Sequence, residues 1–491
     1  NIKNIAKNNI KNIKILEKFY LKIFKKTKNF NREKLFEFSK SKNKIDEKNP
    51  NFTNKLNNFI NEVENCKIDK NLNSVLGWVP FSKNLSSAII YNFFSQNYSL
   101  RGNFILRGSL LLNGNIIEQK LFWIKPNAIF ELRSENFKNR DNCDTIIIEM
   151  FNPRLKKNHG SHDGHLRFWG QYFDQNNKIF STTHSMPLSY GDRYISKQNF
   201  SRSYFKIDKN YNFKNYFLKS KIVSYEDRLN FYGYAAITNN SNNLLSTWHL
   251  APVNKRDKEK RKINQIAWCP HNENLDPYIL IDNYETGVNN QKLLIALIVN
   301  NEVVYRKEFE HQGVYFDKIK NIFPKINSDY LIYISFLSYG HSYFNILYNN
   351  AKNYGDSVHS HETNWTLSDS KLIPREVKSL GNTRKFFYLN KYNQDCTHYL
   401  SLNIDRIKNK KFLNLNIRLL IDNGVEQIFQ RKVKFDKPHI ILNLEEEFGI
   451  LKNLNYKYAV VQIESFDHNV NGSLLYYNKD GTIAVDHLTG G

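Results

Sequence analysis

The densest run of groups able to do chemistry is Asn158–Trp169, NHGSHDGHLRFW, which places His159, His162, Asp163 and His165 in one turn-rich stretch. Neutral imidazoles and a carboxylate are donors that suit zinc and non-haem iron. Residues two apart share a face of a strand, so only some of the four can converge. The plainer alternative is a polar loop entering a strand at Leu166, with Asp163 as a turn residue.

A second set of histidines is marked by repetition. Residues 166–188 read LRFWGQYFDQNNKIFSTTHSMPL and residues 229–253 read LNFYGYAAITNNSNNLLSTWHLAPV. Leu166, Phe168, Gly170, Ser181, Thr182, His184 and Pro187 match Leu229, Phe231, Gly233, Ser246, Thr247, His249 and Pro252. On strands, Thr182 and His184 share one face, and Thr247 and His249 share the equivalent one. Two such units related by a pseudo-twofold would bring His184 and His249 together in a polar pocket. Such a pocket can hold a metal or supply a general acid and base. His184 and His249 are therefore the catalytic candidates. His162, Asp163, His165, His184 and His249 are the metal candidates, for zinc, iron or manganese. The competing reading is structural: a catalytic group is needed once, whereas a group that satisfies a buried hydrogen bond recurs with the fold. Weaker echoes of the same hairpin surround His361 and His487.

Other motifs are fragmentary. Gly355-Asp356-Ser357 resembles the nucleophile box of SGNH hydrolases over three residues but lacks the flanking blocks. His359-Ser-His361-Glu362 resembles a cupin metal motif, with the glutamate arriving too soon. The iron-oxygenase facial triad begins His-x-Asp, whereas here Asp163 directly follows His162. No P-loop, dinucleotide fingerprint, HExxH or nucleophile elbow occurs. Six tryptophans are scattered through the chain. Most of them belong in cores, while Trp169 and Trp248, beside the repeated histidine phrase, are the ligand-binding candidates, since indole faces suit sugar rings.

The elements that must position these groups are β-strands from Gly77 onward. Ser99–Leu112, Glu118–Trp123 and Asp144–Met150 are apolar or alternating runs bounded by Asn, Gly and Asp. Asn113-Gly114, Asn300-Asn301 and Asp422-Asn423-Gly424 mark hairpin turns at corresponding places. A shared grammar follows: strand, Asn-rich turn, strand, extended stretch, apolar strand (TIIIEMF, YLIYISF, YAVVQIE), then the His-terminated hairpin. This predicts a mainly β fold of tandem antiparallel β-sandwich units arising by internal duplication. Unit 1 spans 75–190, unit 2 spans 268–370 and unit 3 spans 382–491. Residues 191–267 form a partial or inserted β unit with the second STxH hairpin and the basic run Lys255–Lys262. Residues 1–74 form a short α-helical N-terminal segment, with helices expected near 2–27, 31–40 and 52–65 from the spacing of apolar residues.

Composition fits a globular chain: 491 residues, 41% hydrophobic and 14% aromatic. The formal charge of +24 admits a nucleic-acid, anionic-lipid or acidic-glycan partner. Yet the chain is crowded with Lys, Asn, Ile, Phe and Tyr, a bias that a low-GC genome produces without any partner. The basic amphipathic N-terminal helix either packs on its own domain or touches a membrane surface. The four cysteines form no CxxC pair, so reduced thiols and a cytoplasmic setting are the default. The chain begins at Asn1 rather than Met, which leaves secretion open. No apolar run reaches transmembrane length. Three functional readings result: a non-catalytic repeat protein that binds or assembles with a protein or glycan; a metal- or histidine-dependent enzyme acting on a carbohydrate; and a nucleic-acid or ribonucleoprotein component. The first is preferred because no active-site motif is intact.

Overall fold

The computed structural model describes residues 50–65, 74–81, 86–91, 104–112, 115–124, 129–143, 145–151, 166, 168–173, 179–185, 198–205, 214–223, 229–238 and 244–250. It then describes 260–282, 288, 290–312, 314–339, 344–350, 355–378, 383–390, 396–421, 426–449, 451, 458–465, 470–487 and 489–490. The helices expected near 2–27 and 31–40 lie outside these residues.

The chain is mainly β, arranged as several small antiparallel sheets. The first eight strands are β1 (Ser74–Pro80), β2 (Ser86–Tyr91), β3 (Phe104–Leu112), β4 (Asn115–Ile124), β5 (Ile129–Arg133), β6 (Thr145–Phe151), β7 (Trp169–Phe173) and β8 (Ile179–His184). They form two sheets, ordered β1-β6-β3-β4 and β5-β2-β7-β8. A single sheet follows, β9 (Gln198–Phe205), β10 (Lys214–Val223), β11 (Leu229–Thr238) and β12 (Leu244–Leu250), each paired with its chain neighbour.

The next sandwich comprises β13 (Arg261–Cys269), β14 (Leu275–Asp282), β15 (Asn290–Val299), β16 (Glu302–Gln312), β17 (Val314–Lys318), β18 (Tyr330–Ser338), β19 (Asn345–Asn350) and β20 (Gly355–His359). Three short strands, β21 (His361–Glu362), β22 (Trp365–Leu367) and β23 (Leu372–Pro374), end it. The last comprises β24 (Thr383–Asn390), β25 (Cys396–Asn403), β26 (Phe412–Ile421), β27 (Glu426–Lys434), β28 (His439–Asn443), β29 (Tyr458–Ser465), β30 (Asn471–Asn478), β31 (Ile483–His487) and β32 (Thr489–Gly490). Their sheets run β16-β15-β18-β13-β21 with β17-β14-β19-β20, and β27-β26-β29-β24-β32 with β28-β25-β30-β31. Apart from the added edge strands β21 and β32, this is the first sandwich's strand order twice more, as the repeated sequence grammar predicts.

The physical cause is visible in the burial patterns. Central strands are covered on both faces: TIIIEMF of β6 is buried throughout, its Glu149 included. Outer strands such as β16, EVVYRKEFEHQ, alternate half-covered and exposed residues. Asn300 and Asn301 have φ of 51° and 70°, the left-handed pair that a tight hairpin between right-twisted strands needs.

The helix α1 (Pro50–Asn65) closes one side of the first sandwich. Its Val63 packs with Ile105 and Phe151, and the Arg107 guanidinium donates to the Val63 carbonyl while its Nε donates to Glu149 at 2.8 Å. Burial pushes the Glu149 carboxyl up to about 7 against the opposing pull of Arg107.

The cores are shared between units. Phe386, Tyr388 and Val460 of the last sandwich join the core of the first, and Leu475, Ile483 and Val485 join that of the middle one. The indole N–H of Trp365 donates to the Ile404 carbonyl at 2.7 Å across the same kind of boundary. Cys143, Cys269 and Cys396 are free thiols. Among the described residues, no helix is long and apolar enough to cross a membrane.

Candidate functional site

Each four-stranded sheet that carries a His-terminated hairpin leaves that hairpin's last strand on its edge: β8, β12, β20 and β31. An uncovered edge would expose a row of unpaired backbone groups. Here the four edges turn inward, and β8, β12, β20 and β31 pack against one another. Their sequences align as Ser181-Thr-Thr-His184, Ser246-Thr-Trp-His249, Asp356-Ser-Val-His359 and Ala484-Val-Asp-His487. In register, His184, His249, His359 and His487 oppose Trp169, Tyr234, Asn345 and Ser473 on their partner strands.

One carboxylate ties three units at this junction. Asp356, buried, accepts the Ser181 hydroxyl at 2.9 Å, the Thr182 N–H at 2.7 Å and the Val485 N–H at 3.0 Å. Asp356, the middle residue of the Gly355-Asp356-Ser357 fragment, thus serves the packing of strands. Nearby, the His361 Nε2 lies 3.3 Å from the Ser473 hydroxyl.

Beside that tie lies the group best suited to chemistry. His184 Nδ1 is 3.1 Å from Asp486 Oδ1, and His487 Nδ1 is 3.4 Å from the same oxygen. One ligand atom from each of the three residues lies within 4.8 Å of the others. The His184 and His487 rings meet edge to face, centroids 4.1 Å apart, and the His361 ring stands 6.1 Å from that of His487. Neighbouring strand residues ordinarily face opposite ways. Asp486 and His487 nevertheless share a site because the Asp486 carboxylate curls round to accept the His487 backbone N–H at 2.8 Å. The arrangement can pass a proton between imidazoles and carboxylate, or hold a cation between them.

Of the sequence-derived candidates, His184 lies in this group. His162, Asp163 and His165 lie outside the described residues. His249 occupies the equivalent place on β12, a strand that packs against β8, and its side chain is likewise outside the described set, as is that of Trp248. Trp169 calls for a correction as a sugar platform: its ring is buried edge to face against Tyr388 at 4.4 Å, filling the boundary between the first and last sandwiches. Trp78, Trp268 and Trp365 are buried too. Sequence reasoning placed His487 only as a weak echo and missed Asp486. The signal for His487 was its alignment with His184; Asp486 had none, because the other hairpins carry Thr, Trp and Val at its position.

No protein-family model matches the chain, and no curated protein does. Among solved structures, it is similar to the M60 catalytic domain with the CBM51-1 and CBM51-2 domains of Clostridium perfringens ZmpB, at 9% identity and a TM-score of 0.12. That match covers 82% of this chain and 56% of the other, so the chain spans about half of that protein's length. It is also similar to a tetra-tandem repeat in the extending region of a large adhesion protein (9% identity, TM-score 0.09, 79% of this chain and 91% of the other). At such scores the likeness carries neither fold nor function to this chain.

Proposed function

We propose that the chain is a non-catalytic β-sandwich repeat protein that binds a repetitive macromolecular partner, a glycan, through the outer edges of its units. The observation that carries this reading is the recurrence of one surface feature. The edges β8, β12, β20 and β31 are consumed in the junction, while β4, β16 and β27 are edge strands of the other sheet of each sandwich. Near each hairpin tip these strands expose a β-branched apolar side chain: Ile116 at 44%, Val304 at 45% and Ile428 at 58%. Mixed charges flank them, including Arg306 paired with Glu308 and Arg431 paired with Glu447, which guards an edge against pairing with another sheet. Three similar weak sites on units that share their cores suit a partner that itself repeats, because linked sites multiply affinity.

Affinity electrophoresis through gels containing neutral or acidic polysaccharides tests this. The expected outcome is retardation by a polysaccharide that falls by about tenfold or more in the triple variant Ile116→Lys, Val304→Lys, Ile428→Lys, as loss of multivalency requires. Absence of retardation by any polysaccharide, with RNA binding that weakens steeply in salt, would replace the glycan with a nucleic acid.

A further inference from the structure

We propose that His184, Asp486 and His487 form a binding site for one divalent transition-metal ion of the zinc class, which clips the first sandwich to the last. Zinc bonds to imidazole nitrogen and carboxylate oxygen are about 2.0–2.1 Å long, so tetrahedral geometry separates neighbouring ligand atoms by roughly 3.3–3.4 Å. The two nitrogen–oxygen separations here, 3.1 and 3.4 Å, already bracket that value. Two imidazoles with one carboxylate select a d-block ion over magnesium or calcium, which take oxygen ligands. The single carboxylate charge offsets half of the ion's.

Position supports the same conclusion. His184 and Asp486 are 302 residues apart in sequence and belong to equivalent hairpins of different sandwiches. A clip that closes so long a loop removes more chain entropy than a local one. His184 is 2% exposed and Asp486 9%, so bulk water competes poorly for the ion, while His487 at the rim gives it a way in. The three protein ligands leave a fourth position for a water molecule. The site shares no residue with the outer edges β4, β16 and β27, so it stands or falls independently of the glycan reading.

The test uses the full chain, stripped of metal with a chelator and then titrated with Co²⁺, with zinc content measured separately by elemental analysis after dialysis against Zn²⁺. The expected result is roughly one ion per chain and the visible ligand-field absorption of a four-coordinate Co²⁺ site. His184→Ala and His487→Ala should each weaken binding by about tenfold or more, and together abolish it. His487→Gln, at the least buried of the three ligands, removes a ligand with least risk to folding, and circular dichroism verifies each variant. A folded wild-type chain that holds no stoichiometric ion overturns the proposal, whatever the variants do. So does a folded His184→Ala, His487→Ala variant that keeps its ion.

Discussion

His439 is held in an arrangement that admits one protonation state. Its Nδ1 is 2.8 Å from the Asn403 side-chain oxygen, an acceptor, so Nδ1 carries the proton. Its Nε2 lies 3.0 Å from the Ser401 hydroxyl, which can donate to the bare nitrogen. Burial disfavours the cation and pushes the imidazole down to about 3. The unfolded chain titrates near the ordinary value of about 6.5 and binds the proton first. A depressed folded value therefore contributes stability that is complete above pH 6.5 and is lost as pH falls from there toward 3. Between pH 7 and 5 the loss should reach up to about 2 kcal/mol, read as a falling urea midpoint. His439→Gln can keep both hydrogen bonds and has no proton to gain, so its profile should be flatter over that range; equal slopes for both proteins would refute the assignment. At this scale the sequence was only partly legible. His184 stood out because Ser-Thr-x-His occurs twice. Asp486 was invisible because its role comes from a carboxylate curling at a strand end, which no spacing rule encodes.

The strands themselves were legible, because their boundaries are written in turn residues and their faces in alternation. Asn300-Asn301 is the clearest case: both residues adopt positive φ, and β15 and β16 pair on either side of them. Asn tolerates the left-handed region, glycine occupies it at no steric cost, and a β-branched residue is strained there. Asn301→Gly should therefore raise stability by about 0.5 kcal/mol, and Asn301→Val should lower it by about 1–2 kcal/mol. Chemical unfolding of both variants reads the pair, and stability changes of the same sign would mean that the turn does not impose this conformation. What alternation could not reveal was which strand of each hairpin becomes an outer edge and which an inner one. β8 and β16 both lie at sheet edges, yet β8 is buried while β16 is largely exposed. The difference comes from neighbouring units, and a strand's own residues carry only a faint record of it, in the polar but uncharged Ser-Thr-Thr of β8 against the charged Arg306-Lys307-Glu308 of β16.

Sandwich units in tandem can hang as a string or close on one another, and repetition in the sequence is compatible with either. The shared cores decide for closure: Trp169 against Tyr388, Ile179 inside the core of the last sandwich and Val485 inside that of the middle one mean that none of the three sandwiches completes its interior alone. A quasi-linear array unfolds unit by unit, whereas units that share cores are coupled. Calorimetry of the intact chain should accordingly give one endotherm. Asp356 provides the lever, since its carboxylate serves donors from the first and last sandwiches while belonging to the middle one. Asp356→Ala leaves two backbone N–H groups and a hydroxyl without that acceptor, at a cost of roughly 1–3 kcal/mol for each buried donor left unsatisfied. The lower end of that total, about 3 kcal/mol, set against an unfolding entropy of about 2 cal/mol/K per residue over 491 residues, lowers the melting temperature by at least about 3 °C. Because the tie is common property, the whole endotherm should move down together. Two or more resolved transitions in the wild-type chain, or a shift confined to one of them in the variant, would mean that the sandwiches melt separately and that the junction of β8, β12, β20 and β31 is a point of contact rather than a common core.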